Sequence, residues 1–299
     1  MRTIEQPGPV HPERVQWVPV YIHQADITLP TGVTLLDGLA QAIQSYGVYS
    51  AVFSVVEGGL APLAYYMPAL SPSDDHVAYF SAPFHAPAEV TLRSGSITLG
   101  QREQQPWLHC HAIWADAQGA VGSGHIIPNE ARVSRPLRLK AWWMQGASFQ
   151  VMPDPETNFS LFQIVAQPPS ALPDRSPNAF VVRLRPNQDV CMALEAFCAE
   201  HGMAAATVRG GVGSLVGIVF DDGRSIEAFA TEVFIEQGTI MPDAHGQLHA
   251  DLRIGGVAHS GDIAQGRLAR GQNAVLITFE LIIEPVTSAS RHGDTLNKR

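Results

Sequence analysis

Apolar residues recur every three to four positions in two stretches of the chain, residues 34–46 and 189–201, and a glycine follows each stretch. This spacing predicts two amphipathic helices that each bury one face, and a glycine directly after a helix is typical of its end. The positions that share the apolar face are Leu35, Leu36, Leu39 and Ile43 in the first stretch and Val190, Leu194, Phe197 and Cys198 in the second.

The pattern that follows each helix also occurs twice. A short apolar strand, a glycine pair and a further strand come after the first helix, and the same order comes after the second, with the pairs at Gly58-Gly59 and Gly210-Gly211. Self-similarity at a fixed spacing indicates a repeat. We therefore predict an α/β chain made of two mixed units in tandem, with the second glycine pair at a bend where backbones approach closely.

Prolines cluster between the two repeats, from about residue 153 to residue 178. Proline continues neither a helix nor a central strand, so this segment is expected to be a linker. The predicted organisation is a first unit over residues 14–152, a linker over 153–178, a second unit over 179–286 and a flexible tail over 287–299.

Three histidines lie within one predicted strand, turn and strand of the first unit. His109 and His111 project to the same side of their strand because side chains alternate. A turn at residues 116–119 returns the chain, and glycines at 122 and 124 leave room for His125 to approach. Three neutral imidazoles suit one divalent ion, zinc above all, with an open fourth position.

Two other interpretations of these histidines remain open. The rings are also compatible with half-buried polar groups that their neighbours satisfy. The spacing partly imitates the metal motifs of a cupin, so a metal-dependent enzyme of cupin, hydrolase or lyase type acting on a small molecule is the alternative function. In that case a nearby carboxylate, Asp116 or Glu130, would have to serve as general base.

The second repeat carries different side chains at the aligned positions. We align His109, His111 and His125 with His249, Asp251 and Arg267. An arginine cannot ligate a cation, and its fixed charge repels one. We therefore expect one metal ion in the first unit and a degenerate, metal-free site in the second.

Composition excludes several classes of protein. The 299 residues carry a net charge of −9, without the clusters of lysine and arginine that phosphate contacts require, so DNA is an improbable partner. No apolar run reaches the roughly 18 residues of a membrane span, and no secretion signal is visible. Three scattered cysteines fit reduced thiols, so a cytoplasmic protein is expected.

The residues quoted above resemble the plants-and-prokaryotes-conserved (PPC) domain family. The resemblance rests on residues 109–111 and 122–125 of the first unit, and on 180–189, 210–213, 248–249 and 261–268 of the second. It implies units in which one main helix packs on a mostly antiparallel sheet. It also implies a histidine cluster that can hold a metal, and homo-oligomers, typically trimers.

Two departures from the family's pattern limit what the resemblance implies. Plant members join the domain to AT-hook segments that bind DNA, and this sequence contains no Arg-Gly-Arg-Pro core of such a segment. DNA binding is therefore implied by family association alone. Two units in one chain also leave the trimer open. The expected function is a metal-binding module that binds a small-molecule ligand or regulates a partner.

Overall fold

The computed structural model describes residues 1–168 and 176–286. Its helices are α1 (Leu35–Gln44) and α2 (Val190–Glu200). Its strands are β1 (Val15–Leu29), β2 (Ala51–Leu60), β3 (Ala64–Tyr66), β4 (Pro68–Ala69), β5 (Tyr79–Phe80), β6 (Phe84–His85), β7 (Val90–Arg102), β8 (Gln105–Ala115), β9 (Val121–Ile126), β10 (Val133–Gln145), β11 (Ala147–Pro153), β12 (Ser160–Ala166), β13 (Ala179–Leu184), β14 (Ala206–Val219), β15 (Ser225–Pro242), β16 (Leu248–Ala258), β17 (Ile263–Arg267) and β18 (Val275–Pro285).

The two units have the same strand order and meet at one strand pair. Read outward from the β1–β13 pair, the first unit runs β1-β10-β2-β7-β8-β9 and the second β13-β18-β14-β15-β16-β17. Every pairing along these two paths is antiparallel. The predicted tandem of two mostly antiparallel units, each with one main helix, is confirmed.

Each helix begins at a side-chain cap and buries the face that its sequence predicts. The Thr34 hydroxyl accepts a hydrogen bond from the backbone N–H of Asp37, and the Asp189 carboxylate accepts one from the N–H of Met192. Such caps satisfy backbone donors that the first turn leaves unpaired. The fully buried face positions are Leu35, Leu39 and Ile43 in α1 and Val190, Leu194, Phe197 and Cys198 in α2.

A shared apolar core joins the two units. It draws side chains from both, among them Val20, Val52 and Trp142 of the first unit and Val181 and Ile282 of the second. At Gly210, where φ is +65°, an added Cβ would lie 2.6 Å from the Cβ of Val52. Gly210 therefore lies where the second unit closely approaches Val52 of the first unit.

The expectation of a linker at residues 153–178 is wrong for part of that range. Residues Ser160–Ala166 form strand β12, which pairs with β11 in an antiparallel hairpin. In the turn between these strands Asp154, Glu156 and Thr157 are buried. The prolines thus lie on either side of strand β12 and do not exclude it. The expected tail at residues 287–299, like residues 169–175, lies outside the described residues.

Two further expectations concern membranes and thiols. Within the described residues, no helix combines the length and the apolar character needed to cross a bilayer. Cys110, Cys191 and Cys198 are free and buried, and burial raises the pKa of the Cys198 thiol to about 12.

Candidate metal centre

The ladder between β8 and β9 brings the three predicted histidines together. His111 lies directly opposite His125, and His109 lies two residues earlier on the same face of β8. Nε2 of His111 is 3.2 Å from Nε2 of His109 and 3.2 Å from Nδ1 of His125. One ring nitrogen from each residue lies within 4.8 Å of the other two.

The second unit fixes the orientation of two of these rings. Nδ1 of His109 lies 2.8 Å from the carboxylate of Glu280 on β18, and Nδ1 of His111 lies 3.0 Å from the carbonyl oxygen of Val233 on β15. Both partners are acceptors, so each Nδ1 carries the proton and donates it. When both rings are neutral, the two Nε2 atoms that face each other therefore both present lone pairs.

A cation between two such lone pairs, either a proton or a metal ion, would satisfy both. A neutral Nε2 without a proton cannot donate a hydrogen bond to another such nitrogen. Zinc–nitrogen bonds of 2.0–2.1 Å at tetrahedral angles place neighbouring ligand nitrogens about 3.3 Å apart. The two observed separations of 3.2 Å match that edge. The arrangement therefore fits a divalent ion bound by three imidazoles.

A buried carboxyl from the second unit borders the cluster. Glu232 on β15 is 6% exposed, and its oxygens lie 3.7 Å from Nδ1 of His125 and 3.9 Å from Nε2 of His111. Its Oε2 accepts no hydrogen bond from any residue that the structure describes. Burial raises the pKa of Glu232 well above its usual range. A buried acceptor without a partner is costly, and a nearby cation would satisfy it.

Burial also keeps two of the rings neutral. It is the main cause that lowers the pKa of His111 and of His125 well below the usual value, and the neighbouring ring of His109 lowers both further. Neutral imidazole is the form that ligates metals. The cluster is therefore in a state that can bind an ion without first losing protons from these two rings.

Behind His109 a chain of buried polar contacts continues into the core. Thr278 donates its hydroxyl to Glu280, and Arg183 donates to the Thr278 hydroxyl. Arg183 and Arg185 both pair with the carboxylate of Asp154, at 2.6 and 2.9 Å. Arg183 and Asp154 are fully buried. The carboxylate that orients His109 is thus itself held by neighbours from the second unit and from the β11–β12 turn.

In the second unit, the structure does not bring all three of the aligned residues together. Asp251 and Arg267 form an ion pair at 2.5 Å. His249 instead lies beside Asp243 and Glu195, at 3.6 and 4.0 Å, and is half exposed. These three side chains do not converge on one point, and no three-residue cluster with metal-ligand geometry occurs there within the described chain.

The strand pairings also change the alignment between the two units, which shifts by two residues on β16. The β8–β9 hairpin closes with Ala115 opposite Val121, and the β16–β17 hairpin closes with Val257 opposite Ile263. Counted from these closing pairs, the ladder positions of His109, His111 and His125 correspond to Asp251, Arg253 and Arg267, and Arg253 lies opposite Arg267. Two guanidinium groups therefore stand where the first unit has imidazoles, and His249 has no counterpart among the three.

Sequence reasoning missed the two carboxylates at the cluster and proposed others. Asp116 accepts hydrogen bonds from the backbone of its own turn, and Glu130 is exposed on a loop. The acidic neighbours are Glu232 and Glu280 from the second unit. The position of Glu280 in the middle of an apolar strand is a usable signal in the sequence, because a carboxylate there needs a buried partner. Glu232 gave none that we can identify.

A cleft opens beside the histidines. It has a volume of 590 Å³, and His109, His125 and Glu280 line its inner end. Tyr79 and Phe80 of β5 and Phe159 of the β11–β12 turn form part of its wall. The ring of Phe80 lies 5.1 Å from that of His125. A bound ion would therefore be reachable by a small molecule from solvent.

Comparison with known proteins identifies the family. A search of curated proteins found no significant match. Among similar solved structures is a PPC protein from Pyrococcus horikoshii, with 14% sequence identity and a TM-score of 0.40, whose match covers 48% of this chain and 94% of that protein. A metal-containing protein from Archaeoglobus fulgidus has 14% identity and a TM-score of 0.39, and its match covers 47% of this chain and 93% of that protein. A hypothetical protein from Salmonella enterica has 17% identity and a TM-score of 0.40, and its match covers 51% of this chain and 100% of that protein. The sequence model of the Plants and Prokaryotes Conserved (PCC) domain, the family resembled above, matches residues 24–139 and 173–287. With most of its length in these two matches, the chain belongs to the PCC domain family and carries the domain twice.

Proposed function

We propose that the protein is a metal-dependent ligand-binding module that holds one divalent ion, zinc by preference, between its two PCC units. His109, His111 and His125 of the first unit are the ligands. Glu280 and the Val233 carbonyl of the second unit orient two of the rings. The observation that carries this proposal is the pair of facing Nε2 atoms, 3.2 Å apart, each on a ring whose Nδ1 contacts an acceptor on its far side.

The support is of three kinds. The donor set is one that zinc commonly takes, and two of the three separations between its ring nitrogens, at 3.2 Å, match a tetrahedral edge. The contacts from Glu280 and Val233 are those that metal-binding histidines usually make through their second nitrogen. The cleft gives access to the fourth coordination position. DNA binding is not part of the proposal, because the net charge is −9 and phosphate contacts need clustered cations.

Metal stoichiometry of the full chain tests this function. Protein stripped with a chelator and titrated with zinc against a competing indicator should take up one ion per chain. The variant His249→Ala is a matched control, since it removes an exposed histidine that the structure places away from the cluster. It should bind the same single ion with the same affinity. Absence of uptake by the wild type, or loss of uptake in His249→Ala, would refute the proposal.

A second prediction concerns the carboxylate that orients His109. Glu280→Gln keeps the size of the side chain and an acceptor oxygen but removes the charge. Loss of such an orienting partner typically lowers metal affinity by about 10–100-fold. We expect a decrease in that range, measured by indicator competition. Glu284→Gln, on the same strand and paired with Arg209 at the surface, should leave the affinity unchanged; equal affinities in both variants would contradict the role given to Glu280.

One observation favours a metal-dependent enzyme as the second candidate. Zinc held by three histidines makes a bound water acidic enough to react near neutral pH. Glu232 is the carboxyl placed to accept a proton beside the cluster, at 3.7 to 3.9 Å from two ring nitrogens. Ester or lactone hydrolysis by the zinc-loaded protein that disappears in Glu232→Gln, with zinc content unchanged, would favour this alternative over a binding module.

A further inference from the structure

Six phenylalanine, tyrosine and tryptophan side chains line the cleft beside the histidine cluster. They come from four separate parts of the chain and are Tyr66, Tyr79, Phe80, Trp107, Phe159 and Phe162. Its volume of 590 Å³ lies within the range of about 300–1,000 Å³ that is usual for small-molecule sites. The inner end is polar, with His109, His125 and Glu280. Such a cleft suits a ligand that has a flat apolar body and one polar group.

Three of the wall rings, Tyr79, Phe80 and Phe159, stand together. Phe159 lies 5.8 Å from Tyr79 and 6.2 Å from Phe80. Tyr79 is 44% exposed and Phe80 is 38% exposed. Large apolar rings exposed side by side next to polar groups are typical of a binding site rather than of a core.

Hydrogen bonds between two loops hold this wall in position. The side-chain amide of Asn158 donates to the carbonyl of Asp75 at 2.9 Å, and the ring of His76 packs against Phe159 at 4.5 Å. The loop that carries Tyr79 and Phe80 is therefore tied to the turn that carries Phe159. A wall fixed in this way costs a ligand little ordering entropy when it binds.

A positive charge on the lining of the cleft favours an anion. Arg102 is the one arginine or lysine among the described residues that line the cleft. Its guanidinium lies 5.3 Å from the centre of the Trp107 ring. Trp107 precedes His109 by two residues on β8, so the two side chains lie on one face and about 7 Å apart. An anion entering past Arg102 would therefore reach the histidine cluster along an aromatic wall.

We propose that the ligand of this cleft is a small aromatic carboxylate. Its carboxylate lies at the histidine end, and its ring lies between Phe80, Phe159 and Trp107. This inference rests on the proposed function, because the carboxylate is seated at the ion that the three histidines hold. Carboxylate oxygens are ordinary zinc ligands. Contacts between aromatic rings add to affinity beyond simple burial, so an aromatic ring should be preferred to a saturated one of equal charge.

Calorimetric titration of the zinc-loaded full chain tests this inference with four probes. Benzoate should bind more than tenfold tighter than acetate, which lacks the ring, and more than tenfold tighter than benzamide, which lacks the charge. It should bind several-fold tighter than cyclohexanecarboxylate. Phe159→Leu should abolish the preference for benzoate over cyclohexanecarboxylate. Phe84→Leu is the matched control, since Phe84 is an exposed ring on β6 that does not line the cleft, and it should leave that preference intact.

Three results would overturn the inference: equal binding of benzoate and acetate, an unchanged preference in Phe159→Leu, or equal benzoate binding to zinc-free protein. Failure here is distinguishable from failure of the proposed function. If the chain takes up one zinc ion but shows no preference for benzoate, the ligand class is wrong and the metal site stands. If it takes up no zinc, the proposed function itself fails.

Discussion

Replacement of His111 by alanine should abolish the stabilisation that zinc gives to the protein. His111 is 2% exposed, and its Nε2 lies 3.2 Å from the candidate ligand atoms of both other histidines. A ligand that binds only the folded state adds about 2.7 kcal/mol at a concentration of 100 times its Kd. The wild type should therefore show a clear rise in melting temperature on addition of zinc. His111→Ala should show none, with affinity lowered by more than the roughly 100-fold ascribed to an orienting partner.

Two controls keep this result interpretable. Zinc-free His111→Ala should melt cooperatively, which separates loss of the site from loss of the fold. His249→Ala should retain the full zinc-dependent rise, because His249 is half exposed and contacts Asp243 instead of the cluster. A zinc-dependent rise of wild-type size in His111→Ala would show that the ion binds elsewhere.

Replacement of Asp154 by alanine should destabilise the fold by about 3–5 kcal/mol, the usual cost of breaking a buried ion pair from one side. Asp154 and Arg183 are fully buried and 2.6 Å apart, and Arg185 shares the same carboxylate oxygen. Without Asp154 both guanidinium groups lose their shared counter-ion in a setting where water replaces it poorly. The free energy of unfolding, from urea titration of the zinc-free protein, measures this loss.

An exposed ion pair supplies the matched control. Asp222→Ala removes the partner of Arg224, and both side chains are about half exposed, so a much smaller loss of stability is expected. Equal losses in the two variants would contradict the importance assigned to the buried network.

The acid stability of the protein follows from the same carboxylate. Burial alone would raise the pKa of Asp154, but the charges and hydrogen bonds of Arg183, with smaller contributions from Thr157 and Arg185, lower it to about 2. A pKa depressed from 3.8 stabilises the folded state above pH 3.8, and this stabilisation of about 2 kcal/mol is lost as the pH falls toward 2. In Asp154→Ala the corresponding part of the acid transition should be missing.

The repeat and the helices could be predicted from the sequence because local patterns determine them. The apolar faces of α1 and α2 follow from three-to-four-residue spacing, and the caps and following glycines give their ends. His109 and His111 could be placed on one face because a strand alternates strictly. The predicted turn before His125 then placed the ring of His125 beside those of His109 and His111.

The rest could not be predicted because it depends on contacts between the units. Glu232 and Glu280 follow the cluster in sequence by more than a hundred residues and reach it only because the two sheets pack together. The strand register that aligns Arg253 with His111 can be established only from the closing residue pairs of the β8–β9 and β16–β17 hairpins. The β12 strand was hidden because prolines on either side of it suggested a linker.

The two units contribute different side chains to this site. The first unit contributes the imidazoles, and the second contributes the carboxylates and the Val233 carbonyl that face them. The equivalent positions of the second unit are Asp251, Arg253 and Arg267, and they do not contribute to the cluster. Their side chains form ion pairs instead. One site built from both units is therefore the organising feature of the chain.

A crystal structure of the zinc-loaded protein, with diffraction recorded on either side of the zinc absorption edge, tests the account most directly. We expect one anomalous peak per chain, about 2.0–2.1 Å from one nitrogen each of His109, His111 and His125, with Glu280 retained on the far side of His109. A peak at any other residues, or none at the cluster, would contradict the claim that the two PCC units together build one metal site.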